Sequence, residues 1–159
     1  MVPAVNNEQP MPIVDDVSAA LADAMRKKDA ARLSALRMLK AAFMNREVQK
    51  GRALQEDEAQ QVVSSLVKQR RDSIDQFTKG GRRDLADKEA AEIVVLEEYL
   101  PPAADPGAVE RAVADAVAET GATSPKDMGR VMKAAMAKLA GQNVDGKMVN
   151  ELVRLKLTT

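Results

Sequence analysis

Four helices followed by three, with no strand, is the all-α fold that the 159-residue sequence predicts, and three observations predict it. Ala, Leu, Met, Glu, Lys and Arg dominate while β-branched runs stay short, so every periodic segment favours helix. Apolar residues recur at three- and four-residue spacing instead of alternating. A Pro101-Pro102 step followed by AADPG then interrupts the pattern after the fourth helix, because proline cannot continue a helix and disfavours helical geometry just before it. The expected limits are a disordered tail over 1–12, a helical domain over 13–101 and a small three-helix domain over 102–159.

The first helix is expected from about Asp15 to Lys28, with Val17, Leu21, Ala24 and Met25 on its inner side. Asp29 is placed to cap the second, which reaches about Lys50 with Leu33, Leu36, Leu39 and Phe43 inward and Gly51 as its stop. The third spans about 56 to 79, its stripe formed by Ala59, Val62, Val63, Leu66, Ile74 and Phe77, and Gly80-Gly81 ends it. Its entry has Gln55 where a Ser or Thr cap is expected. The fourth begins near Arg83 or Asp84. Beyond the prolines, Asp105 and Pro106 supply a cap and a first turn for a fifth helix ending at Thr120-Gly121. SPKD at 124–127 starts a sixth, with Met128, Val131, Met132, Ala135, Met136 and Leu139 as its core stripe. Gly129 is expected to permit close approach of a neighbouring helix, or else of a ligand backbone. Asp145 caps a seventh helix carrying Met148, Leu152 and Leu155.

Composition narrows the chemistry. Lys plus Arg equals Asp plus Glu, so no global field draws the chain to nucleic acid or to an anionic membrane. With neither Cys nor His, thiol nucleophiles, the usual zinc ligands and the usual near-neutral general base are all missing. No cofactor and no metal is expected, since a phosphate-cradling Gly-rich loop is missing as well. Phe43, Phe77 and Tyr99 are the whole aromatic complement, too few for a base-stacking platform. The N-terminal MVPAVNNEQPMP lacks an apolar signal region and no apolar run reaches spanning length, which leaves a cytoplasmic protein without a membrane partner as the expectation.

One stretch resists simple amphipathic reading. In GRRDLADKEAAEIVVLEEYLPP, Leu85, Leu96 and Leu100 form an apolar stripe, yet Glu89 and Glu92 fall inside it. Inward carboxylates are either reactive groups or halves of buried ion pairs. If the third and fourth helices form an antiparallel hairpin about Gly80-Gly81, Leu66 meets Leu96 and Val62 meets Leu100. The same register sets Arg70 opposite Glu92 and Ser73 opposite Glu89, two polar residues that are themselves misplaced in the third helix's stripe. A guanidinium matches a carboxylate bidentately and a hydroxyl can donate to the second acid, so Arg70, Ser73, Glu89 and Glu92 are expected as a structural cluster. The competing reading is an enzyme of carbon–nitrogen bonds using Glu89 and Glu92 in an open cleft.

The segments KQRRDSIDQF, RRDLADKEAAEIVVLEEYLP and GATSPKDMGRVMKAAMAKLAGQNVDGKMVNELVRLKL resemble the YqeY family. The likeness runs over about 14–157, and the C-terminal part is similar to the tail domain of the GatB subunit of glutamine-dependent tRNA amidotransferases. What the resemblance implies is an accessory protein whose tail contacts tRNA, with an amidotransferase or an aminoacyl-tRNA complex as partner, a relative of the carbon–nitrogen ligases that use glutamine as amido donor. The residues supply no glutamine-hydrolysing centre of their own, so no catalytic residue is assigned. Ser64, Ser65 and Lys68 have a suggestive spacing but sit on one helix without a Gly-rich loop.

Two cationic regions remain as binding candidates. Residues 26–52 hold Arg26, Lys27, Lys28, Arg32, Arg37, Lys40, Arg46, Lys50 and Arg52 against Asp29 and Glu47. On the tail, Arg130, Lys133, Lys147 and Arg154 fall outside the apolar stripes and form the expected nucleic-acid face, suited to the shape of a folded RNA backbone. The alternatives are a protein-interaction module without RNA binding, and plain solvated faces such as Lys68 with Asp72 and Arg71 with Asp75.

Overall fold

The computed structural model describes residues 11–158. Nearly all of the expected 1–12 tail lies outside the described residues. Among them the regular elements are helical: α1 Ile13–Lys27, α2 Ala30–Lys50, α3 Glu56–Lys79, α4 Arg83–Glu97, α5 Pro106–Thr120, α6 Met128–Lys138 and α7 Gly146–Thr158, with a short 3-10 turn at Pro125–Asp127 before α6. The chain divides between Leu100 and Pro101 into two compact units.

In the first unit, α1 pairs with α2, α3 with α4, and α2 also packs on both α3 and α4. Their shared core is Ile13, Val17, Ala24, Leu36, Leu39, Phe43, Ala59, Val63, Val67, Leu96 and Tyr99. Val67, absent from the sequence-based stripe, is buried in the middle of α3, one turn after Val63. Met25 is the opposite case. It follows the buried Ala24 yet stands 54% exposed, because it lies about 100° round the helix from Ala24, off the arc of Ile13, Val17 and Ala24 that meets the core.

Charge satisfies the helix ends where sequence offers poor caps. Pro12 precedes α1 and makes no side-chain cap, and the Ile13 N–H donates instead to both carboxylate oxygens of Glu56, at 3.1 and 3.2 Å. Asp29 caps α2 through the Arg32 N–H at 3.2 Å. At the start of α3 the poor cap Gln55 is relieved by Glu58, which reaches back to accept the Gln55 N–H at 3.0 Å, the reciprocal half of a capping box. Glu58 also takes Arg52 at 2.7 Å and Lys50, so it gathers the whole α2–α3 connection around one carboxylate.

In the second unit α5, α6 and α7 pack on one another around Val109, Val113, Ala116, Val131, Ala135, Leu139, Val149, Val153 and Leu157. Asp105 caps α5 through Ala108 N–H at 3.3 Å, and Asp145 accepts the Lys147 N–H at 3.0 Å. Ala104 N–H donates to Asn143 O at 2.9 Å, tying the entry to α5 to the turn before α7. Three expectations are corrected here. Ser124 makes no side-chain cap; Asp127, at the end of the 3-10 turn, accepts the Thr123 N–H at 3.1 Å instead. The inner side of α7 is Val149, Val153 and Leu157, while Met148 and Leu155 are exposed, and Met136 of α6 is 37% exposed. The physical reason is position around each helix: Val149, Val153 and Leu157 share the α7 arc that meets α5 and α6, and Met148 and Leu155 lie off it, while Leu152, Met128 and Met132 still pack against the core. Gly129 is not a close-packing site, since a Cβ there would meet nothing within 4 Å.

Glu58 makes stability depend on acid. Hydrogen bonds from Arg52, Lys50 and the Gln55 N–H hold its carboxyl far below the ordinary value of 4.5, and ion pairs with Lys27 and Arg130 likewise lower Asp23 and Asp127. A depressed folded-state pKa contributes stability that is fully present above the unfolded value and is lost as pH falls through the folded one. Denaturation midpoints should therefore be level at neutral pH and fall progressively below about pH 4.5, and Glu58→Gln should be less stable at pH 7 while showing a shallower acid decline. An acid profile of Glu58→Gln parallel to that of the parent would show that this carboxylate is not responsible.

Candidate functional site

The α3–α4 hairpin carries the polar cluster that the sequence singled out. Arg70 and Glu92 stand symmetrically about Gly81, and Arg70 Nε donates to Glu92 Oε2 at 2.9 Å. Arg70 is 4% exposed and Glu92 is buried. The remaining guanidinium nitrogens are also satisfied: Nη1 donates to Leu66 O at 3.4 Å and Nη2 to Met38 Sδ, on α2, at 3.1 Å. Glu89 lies 3.8 Å from Arg70 Nε, with its side chain 26% exposed. Ser73 is a correction. Its hydroxyl donates to Gln69 O at 3.1 Å on its own helix and so does not serve Glu89. The expected bidentate fork is likewise replaced by a single Nε contact to Glu92, because the other two nitrogens are drawn to α2 and to the α3 backbone.

This geometry serves structure better than catalysis. A reactive carboxylate needs a face open to substrate, whereas Glu92 is buried against a fixed cation. Ser64, Ser65 and Lys68 all lie on the exposed outside of α3, so they do not share a cleft. Among the described residues no group of three or more acids, His or Cys stands ready to hold a metal ion.

The basic tract of residues 26–52 changes character once folded. Arg26 and Lys27 meet Asp23, Lys50 and Arg52 meet Glu58, and Arg32 makes a two-pronged contact with Glu98, both prongs at 2.9 Å. Asp23, Glu58 and Glu98 all lie outside the 26–52 window, which is why the local count overstated the charge. Arg71 similarly reaches Glu97 across the hairpin at 3.0 Å.

On the second unit Arg130, Lys133, Lys147 and Arg154 are all exposed. Arg130 and Lys133 sit one turn apart on α6, and Lys147 and Arg154 two turns apart on α7. Acids temper this face: Arg130 pairs with Asp127, whose carboxyl is thereby held below its ordinary range, and Glu151 falls between Lys147 and Arg154 on the same side of α7. Sequence reasoning missed one surface feature, a groove of about 340 Å³ between α5 and α7 lined by Glu110, Val113, Leu152, Leu155 and Lys156.

An all-helical protein whose buried charged residues are held in ion pairs is the class that fold and site define. The chain belongs to the family described as YqeY-like protein, whose model matches residues 14–157. Among relatives, a protein named altered inheritance of mitochondria protein 41, mitochondrial, from Lachancea thermotolerans is 31% identical over 115 residues, 70% of this chain and 62% of that protein. Its namesake from Kluyveromyces lactis is 38% identical over 90 residues, 54% of this chain and 49% of that protein. The Saccharomyces cerevisiae YJM789 protein of the same name is 35% identical over 81 residues, 50% and 44% of the two chains. The chain thus spans between 44% and 62% of these relatives' lengths.

The expected cytoplasmic location does not stand, since these relatives are named as mitochondrial proteins. Its basis was too weak: among the described residues no helix is long and apolar enough to cross a membrane, but that property does not distinguish cytoplasm from the interior of an organelle.

The buried cluster yields a stability test. Arg70→Met strands the Glu92 carboxylate and should cost about 3–5 kcal/mol in urea unfolding, whereas Ser73→Ala should stay within about 0.5 kcal/mol of the parent. Equal midpoints for Arg70→Met and the parent would contradict the pairing.

Proposed function

We propose that the protein is a tRNA-binding accessory factor that engages the RNA backbone through the outward faces of α6 and α7. The observation that carries this reading is the exposure of Arg130, Lys133, Lys147 and Arg154 on the unit whose sequence resembles the GatB tail. Four cations over a surface of small side chains, among them Ala134 and Ala137, suit phosphate contacts and shape recognition, and the shortage of aromatic residues argues against reading of splayed bases. The family resemblance suggests work beside a glutamine-dependent amidotransferase. Ammonia release from glutamine would fall to that partner, because a chain with no Cys and no His cannot build the thiol centre, and its Ser64, Ser65 and Lys68 face solvent on one helix.

A second reading, a protein-docking module, is favoured by exposed Met148 and by Leu155, which is 58% exposed on α7. Apolar side chains beside Lys147 and Arg154 fit a protein surface better than a phosphate backbone.

Filter binding of labelled tRNA across a salt series separates the two. On the RNA reading, affinity falls steeply with salt, and changing Arg130, Lys133, Lys147 and Arg154 together to Ala weakens binding and flattens the log–log slope by about 0.7–0.9 per lost phosphate contact. Binding indifferent to the quadruple change would remove the proposal. Nuclease-insensitive capture of a protein partner, lost on Leu155→Ser, would support the second reading.

A further inference from the structure

The outward face of α2 combines exposed aliphatic side chains with cations that the rest of the unit leaves unclaimed. At about 100° per residue, Met44, Arg37, Val48 and Ala41 fall within an arc of roughly 60°, opposite the buried Leu36, Leu39 and Phe43. Lys40 lies beside Met44 at one edge, and Met38 lies at the other. Val48 is 82% exposed and Met44 57%, although neither helix end nor cap requires an apolar residue there. α2 contains one acid, Glu47. Five cations of the surrounding tract are taken by Asp23, Glu58 and Glu98, but among the described residues no acid pairs with Arg37, Lys40 or Arg46.

We infer that this face is a docking surface for an acidic amphipathic helix of another protein, with aliphatic residues that cover Met44 and Val48 and carboxylates that meet Arg37 and Lys40. From Arg37 to Val48 the axis measures about 16 Å, so three turns of a partner helix cover it. Charge complementarity selects this occupant over the others. A second copy would bring together two faces that each carry Arg37, Lys40 and Arg46 against the single acid Glu47, a net like-charge arrangement. RNA phosphates would engage the cations but leave Val48 and Met44 facing water. An anionic bilayer needs a wider apolar face than one arc of a helix whose opposite side is already buried.

Fluorescence anisotropy with the full chain and two labelled model peptides tests the inference. Both peptides carry Leu at helical i, i+3, i+4 and i+7 positions; one has Glu and the other Lys at the flanking positions. The Glu peptide should bind and the Lys peptide should not. Arg37→Glu with Lys40→Glu should weaken the Glu peptide about tenfold or more with unchanged unfolding, and Val48→Ser should weaken it without altering the salt dependence. Equal binding of both peptides, or full binding by the charge-reversed protein, would overturn the inference. So would loss of tRNA or anionic-vesicle binding in the Arg37/Lys40 variant with peptide binding unaffected. Because these residues lie on α2, the result is independent of the Arg130, Lys133, Lys147 and Arg154 test.

Discussion

A guanidinium held in the interior of the first unit is the constraint on which the rest of that unit depends. Arg70 cannot be left unsatisfied away from water, and its nitrogens take partners on three helices: Glu92 on α4, the Leu66 carbonyl on α3 and the Met38 sulfur on α2. Desolvation of both charges offsets most of their attraction, so the pair contributes little net stability compared with an apolar substitute. Its effect is on register. Sliding α4 by one turn would either set Leu96 opposite Arg70 and strand both charges, or set Glu89 there and leave Glu92 buried without its cation, whereas the neighbouring Leu and Val contacts could re-form after a slip.

That same pairing holds Glu92 buried against a cation, away from solvent. The acids Glu58 and Glu98 play a parallel role outside the core, tying the α2–α3 connection and the end of α4 to cations of the basic tract. What they leave exposed differs between the units. On α2 it is aliphatic side chains beside Arg37 and Lys40; on α6 and α7 it is cations interleaved with Asp127 and Glu151. The two surfaces therefore differ in character: one is apolar with cations at its edge that no acid among the described residues pairs, the other is mixed in charge.

Much of the fold was legible because the local signals agreed. Asp29 with Gly51, Asp105 with Pro106, and the Gly80-Gly81 break marked helix ends that tertiary packing had no reason to move. The meeting of Arg70 and Glu92 was legible for a related reason: each was anomalous in its own stripe, and a tight hairpin allows few registers. Ser73 was misread because a Ser in a helix always has its own preceding turn as a competing acceptor, and a register argument does not weigh that local bond. On α7 the Leu152 reading holds, since Leu152 packs against the core, while Met148 and Leu155 were misread because Met148 and Val149, like Leu152 and Val153, offer two adjacent apolar arcs. The buried arc is that of Val149, Val153 and Leu157. The basic tract was misread as a net charge because its acids come from Asp23, Glu58 and Glu98, beyond any local window.

The most direct measurement is a double-mutant cycle on Arg70→Met and Glu92→Leu, followed by urea unfolding. If the guanidinium and carboxylate satisfy each other inside the core, the two single changes are costly, the double variant recovers much of the loss, and the coupling energy is about 2 kcal/mol or more. Additive effects, with coupling near zero, would mean that the two charges do not meet in the folded protein, and the account of the hairpin would fall with them.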